Sequence, residues 1–162
     1  MLTADRLREV VDYDPGTGVF TWKASTRGHV KKGSVAGSVK ERGYRGIGID
    51  GILYREHRLA FLYQTGEWPK EQIDHINGVR DDNRYANLRE ATNAENRRNS
   101  KRRVNNRSGF KGVSWHNQSR RWRARIKLHG KSTHLGLFAS KENAYAAYCA
   151  AAEKYHGEFG RF

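Results

Sequence analysis

Apolar side chains recur at helical spacing at Leu7, Val10 and Val11, and Pro15-Gly16 closes the run, so the pattern predicts a short helix over residues 3–11. Strand-like pieces follow at 19–22 (Val-Phe-Thr-Trp), 34–39 and 44–49. Asp50-Gly51 stands between Ile47/Ile49 and Ile52/Tyr54; both turn residues tolerate positive φ, which predicts a two-residue hairpin. Residues 57–64 are apolar through Leu59-Ala60-Phe61-Leu62-Tyr63 and are followed by Gly66, as for a helix with a glycine C-cap. Asn77-Gly78 marks a turn, and Thr92 with Glu95 forms a capping box. The segment from Ile73 onward therefore reads strand, loop, strand, helix, with Asn96 in the first turn of that helix.

Residues 97–109 contain one clearly apolar side chain, Val104, and read as a linker. Beyond it the pattern sharpens. Arg121, Arg123, Arg125 and Lys127 alternate with Trp122, Ala124, Ile126 and Leu128, so a strand here has one basic and one apolar face. A turn at His129-Gly130, a strand over 133–138 and a helix over 141–155 capped by Ser140 follow. The helix must cover the apolar face, leaving the basic face free. The fold class is α+β, with residues 1–96, a basic linker at 97–106 and a sheet domain at 107–162.

Charge changes the picture. The chain of 162 residues carries 31 Lys and Arg against 17 Asp and Glu, a net +14. No acidic residue occurs between Glu95 and Glu142, where 14 basic ones do, so the whole excess lies in that segment. A polyanion is the natural partner, and the absence of a basic amphipathic helix there favours nucleic acid over membrane. The lone Cys149 excludes an internal disulfide and a four-thiolate zinc site. No run of about 18 apolar residues and no apolar leader occur, which predicts an intracellular protein.

Candidate chemistry concentrates in Asp74-His75-Ile76-Asn77-Gly78, Asp82-Asn83-Arg84, Asn87-Leu88-Arg89 and Asn96. A carboxylate and an amide oxygen suit Mg²⁺, and a neutral imidazole beside them can take a proton from water. From spacing alone the commoner meaning of an Asp-His pair is a surface turn. Residues 57–99 also resemble the HNH nuclease module of phage and intron-encoded homing endonucleases. The likeness is carried by His57-Arg58-Leu59, Asp74-His75-Ile76-Asn77-Gly78, Asp82-Asn83-Arg84-Tyr85-Ala86-Asn87-Leu88-Arg89 and Asn96. It implies two strands and a helix around one Mg²⁺ or Mn²⁺ ion, with His75 as general base, Asn87 orienting its imidazole, and Asp74 and Asn96 as metal ligands. Asp82 departs from the Asn common in the family, and Asn96 from the His of many members.

The last 55 residues hold Phe110-Lys111-Gly112-Val113, Trp122-Arg123-Ala124-Arg125-Ile126, His134-Leu135-Gly136-Leu137-Phe138 and Glu142-Asn143-Ala144-Tyr145. Through these stretches they are similar to the DNA-binding domain of the plant APETALA and ethylene-response-factor type. That resemblance implies a sheet laid in the major groove, with contacts from Lys111, Trp115, Arg123, Arg125, Lys127 and His134. Arg121 extends the basic face, and Arg97, Arg98, Arg102 and Arg103 either track phosphates or form a solvated linker. His57 is read as a packed, hydrogen-bonded core histidine or as a neighbour of the phosphate. His29, His116, His129 and His156 are read as surface, and Trp22, Trp68 and Cys149 as core. The expected function is a site-specific, homing-type DNA endonuclease in a bacterial host or phage-infected cell, acting as a monomer on double-stranded DNA with no organic cofactor and no membrane. An inactive DNA-binding regulator and an RNA-directed protein are the alternatives.

Overall fold

The computed structural model describes residues 1–25, 30–100, 105–128 and 130–160. The chain forms two compact units, Met1–Asn93 and Ala94–Phe162. Residues 101–104 of the expected linker, Arg102 and Arg103 among them, lie outside the described residues, as do His29 and His129.

In the first unit, α1 (Ala4–Val10) starts at Thr3, whose hydroxyl accepts from Arg6 N at 3.2 Å. It ends one residue earlier than the pattern predicts. Val11 opens β1 (Val11–Asp14), which pairs antiparallel with β2 (Val19–Trp22). β1 alternates buried and exposed residues, and this period of two overrides helical continuation at Val11. The strand expected over 34–39 shrinks to β3 (Ser38–Val39) plus an isolated bridge from Thr21 to Val35. Gly37 is the cause: its φ of +78° breaks the ladder, and a Cβ there would run into the Glu56 carboxylate.

β4 (Arg45–Ile49) and β5 (Ile52–Arg55) form the predicted hairpin, with Asp50 and Gly51 at φ +50° and +80°. α2 (Glu56–Thr65) is capped by left-handed Gly66, whose N–H donates to Leu62 O at 2.9 Å. β6 (Gln72–His75) and β7 (Leu88–Ala91) pair antiparallel; α3 (Asn93–Arg98), with Asn96 as its fourth residue, starts at the boundary and from Ala94 on belongs to the second unit. The core gathers Leu7, Val11, Tyr13, Phe20, Ile47, Leu59, Leu62, Ile73 and Leu88, with Trp22 and Trp68 packed on it as the sequence suggests.

The second unit is a sheet of β8 (Val113–His116), β9 (Arg121–Leu128) and β10 (Lys131–Phe138), in the order β10-β9-β8, covered by α4 (Lys141–His156). Ser140 caps α4 by accepting from Asn143 N at 3.1 Å. Ala124, Ile126, Ala144, Tyr148 and Ala152 are buried between sheet and helix. Gly112 at φ +75° lets the chain press on the Tyr148 ring, where a Cβ would collide. His156 is buried rather than on the surface, because its Nε2 meets Lys127 O at 3.1 Å and fastens the end of α4 to β9. No helix among the described residues is long and apolar enough to cross a membrane.

Candidate active site

Register brings the first pair together. Asp74 on β6 lies opposite Arg89 on β7, and neighbours across an antiparallel ladder share a face. Arg89 Nε and Nη2 donate to Asp74 Oδ2 at 3.1 and 3.0 Å, and the carboxylate is only 5% exposed. A buried carboxylate needs such a partner.

His75, the next residue, is also buried, and its Nε2 stands 3.1 Å from Asn83 Oδ1. Asn83 Nδ2 donates to Glu56 Oε2 at 3.1 Å, and Arg45 Nε lies 3.1 and 2.9 Å from the two Glu56 oxygens. Half-buried Arg45 and buried Glu56, Asn83 and His75 are thus one chain of polar contacts. Its polarity follows from donor chemistry. Both Glu56 oxygens receive a donor from Arg45, so Oε2 meets the amide as an acceptor and Asn83 must turn its nitrogen toward Glu56. The amide oxygen then faces the imidazole and can only accept, which assigns the proton to His75 Nε2 and the lone pair to Nδ1. Burial lowers the His75 pKa below the ordinary histidine value, against the raising effect of its Asn83 hydrogen bond and of the nearby Asp74. Burial likewise raises the Glu56 carboxyl, against the opposing pull of Arg45.

The hairpin of β1 and β2 braces Asn83 from outside the motif. Tyr13 OH donates to Asn83 O at 2.7 Å, and Tyr85 N donates to Pro15 O at 3.1 Å. Gly18, at φ +75°, sits so close to Asn83 and Arg84 that a Cβ would overlap their backbone.

Asn87, which the family pattern makes the orienting residue, has its described side-chain bonds elsewhere. Its Nδ2 donates to Asp82 O at 2.8 Å and Asn77 Oδ1 at 3.1 Å, and its Oδ1 accepts from Asn77 N at 3.0 Å. It pins the turn after β6, while Asn83 meets the imidazole. Asn83 stands within the motif without a predicted role; its place in a polar run four residues before Asn87 is the one signal in the sequence. Asp82 belongs to the same turn: Arg84 first, then Asn77, hold its carboxyl down to about 2.

His57, at 8% exposed, is a core histidine adjoining the site. Its ring packs edge-on to His75 with centroids 5.1 Å apart, and its Nδ1 has no hydrogen-bond partner among the described residues. Burial first, then the charge that His75 would carry, press its pKa down to about 3.

A metal is tested by the donor set. No cluster of three or more His, Cys, Asp or Glu suited to a metal occurs among the described residues. Mg²⁺ keeps several waters and needs only one or two protein oxygens beside substrate phosphates, so a single carboxylate such as Asp74 suits it, and a closed zinc cage it could not form.

On the sheet of the second unit, Arg121, Arg125 and Lys127 are exposed and Arg123 is half-buried, with its Nε unpartnered among the described residues. His134 lies opposite Arg125, on the same face. Trp115 does not join them. It pairs with Trp122, two residues from Val113 opposite Ala124, which places it on the face that α4 covers, although it is 46% exposed. Lys111 differs too: its ammonium donates to Arg98 O at 2.6 Å and Ser100 O at 3.0 Å, tying down the chain after α3. Arg97 is exposed and Arg98 half-buried.

Residues 54–98 match the family described as HNH endonuclease. The chain is also 33% identical over 111 residues to Protein 3.8 of Escherichia phage T7, an alignment that takes in 67% of this chain and 89% of that protein.

Proposed function

The chain belongs to the HNH endonuclease family, with its HNH domain at residues 54–98, and from that premise we propose that it is a homing-type DNA endonuclease in which His75 Nδ1 is the general base. The observation that carries this reading is the polar chain from half-buried Arg45 through buried Glu56, Asn83 and His75, beside Asp74, inside the matched segment or bonded to it.

Burial keeps the imidazole neutral, and Asn83 holds Nε2 protonated, so Nδ1 takes the proton of a water molecule. The water oxygen bonds to phosphorus in line with the 3′ oxygen, the bond to that oxygen breaks, and it is protonated by solvent. The products carry 5′ phosphate and 3′ hydroxyl. Asp74 would hold one Mg²⁺ or Mn²⁺, which when bound neutralises charge on the phosphate and leaving oxygen; Asn96, a ligand by the family's pattern, belongs to the second unit. Asn87 acts on catalysis indirectly, by fixing the turn that follows His75.

The second unit supplies site preference. Arg121, Arg123, Arg125 and Lys127 form a cationic face matched to a duplex, with His134 opposite Arg125 on it and Arg97 and Arg98 on flanking phosphates. Supercoiled plasmid incubated with the protein and Mg²⁺ tests the reading: nicked or linear product is expected, and none with His75→Ala. An intact plasmid with wild-type protein would leave a DNA-binding regulator instead.

A further inference from the structure

Tyr44 lies between β3 and β4, and four other side chains crowd its ring. The His57 and His75 rings approach with centroids at 5.3 and 6.0 Å. The guanidiniums of Arg55 and Arg80 stand over it at 5.2 and 5.0 Å. Arg55 is the N-cap of α2, and Arg80 donates to Arg42 O at 2.7 Å. Both arginines are exposed, and neither forms an ion pair among the described residues. Other arginines of this unit do: Arg6 with Asp50, Arg45 with Glu56, Arg84 with Asp82 and Arg89 with Asp74.

Two like charges held on one ring without a carboxylate repel each other, an arrangement that an anion relieves. A guanidinium packed on an aromatic ring keeps donors at its edge for planar recognition of phosphate. One ring away stands His75. We propose that Arg55, Arg80 and Tyr44 form a phosphate-binding site that seats the nucleic-acid backbone next to the general base, separate from the cationic sheet of the second unit. The placement beside the scissile bond rests on the nuclease reading; the anion site itself does not.

The test measures binding of a fluorescent mixed-sequence duplex by anisotropy across a salt series, in a His75→Ala background that cannot cleave. Arg55→Ala and Arg80→Ala should each lower the slope of log K against log salt by about 0.9, and the double variant by about twice that. Arg55→Lys and Arg80→Lys should restore the slope, since charge is kept, while kcat/KM of the cleaving enzyme stays reduced because the stacked fork is lost. Arg6→Ala, already paired with Asp50 and Glu9, should leave the slope unchanged. A double variant with unaltered slope would overturn the site. A lowered slope in a protein whose wild type never cleaves DNA would keep the anion site and remove the nuclease reading.

Discussion

Asn83 and His75 meet at 3.1 Å through one amide oxygen and one ring nitrogen, and the orientation of that amide is dictated by Glu56 on its other side. A carboxylate that never touches the reacting atoms therefore decides which imidazole nitrogen holds the lone pair.

Asn83→Ala should lower kcat roughly 10- to 100-fold, less than His75→Ala, with a smaller change in KM, because the base survives but its tautomer is no longer imposed. Glu56→Gln should allow the amide of Asn83 to turn over. Long-range ¹H–¹⁵N spectra of the imidazole should show Nε2–H alone in the wild type and a mixture in Glu56→Gln. Unchanged spectra would remove the positioning role.

His75→Ala should abolish cleavage, a loss of about 10²–10⁴-fold, while duplex binding persists. EDTA should stop cleavage, with Mg²⁺ or Mn²⁺ restoring it, and Asp74→Ala should blunt that restoration. Hydrolysis that proceeds undiminished in chelator would remove the metal assignment.

Acid should destabilise the first unit through His57. Its folded pKa of about 3 lies below the ordinary 6.5, so between these values the unfolded chain binds the extra proton and stability falls as pH falls. The loss is on the order of 2 kcal/mol at pH 5. His75, shifted down in the same way, adds to the loss, and Glu56, shifted up, partly offsets it lower in the range. Urea midpoints at pH 7 and pH 5 should converge in His57→Phe; an equal drop in both proteins would contradict a neutral buried His57.

On the sheet, Arg125→Ala and Lys127→Ala should each reduce the salt slope of duplex binding by about 1 if they contact phosphate. Arg123→Ala or Arg125→Ala should cost about 1–3 kcal/mol at a cognate site where the residue reads guanine. Trp115→Ala should change binding little, since its register places it on the α4 side. A large loss for Trp115→Ala, with none for Arg125→Ala, would invert the assignment of faces.

The sequence by itself determined the elements whose physics is local. Asp50-Gly51 makes its hairpin because two adjacent residues accept positive φ, and Gly66 and Ser140 end and begin their helices through bonds within four residues. The basic and apolar faces of β9 are legible because alternation in a strand is a property of the strand alone. The family pattern likewise places Asp74 and His75 in adjacent positions at a strand end. What the imidazole touches was decided elsewhere: Asn83 is held by Glu56, 27 residues away, and by Tyr13, 70 residues away, and no spacing rule relates such positions. Lys111, drawn to the carbonyls of Arg98 and Ser100, and His156, drawn to Lys127, left the roles their residue types suggested for the same reason. Residue type and period set what a side chain can do, but a buried polar atom must find a partner, and only the packed chain decides which one is within reach.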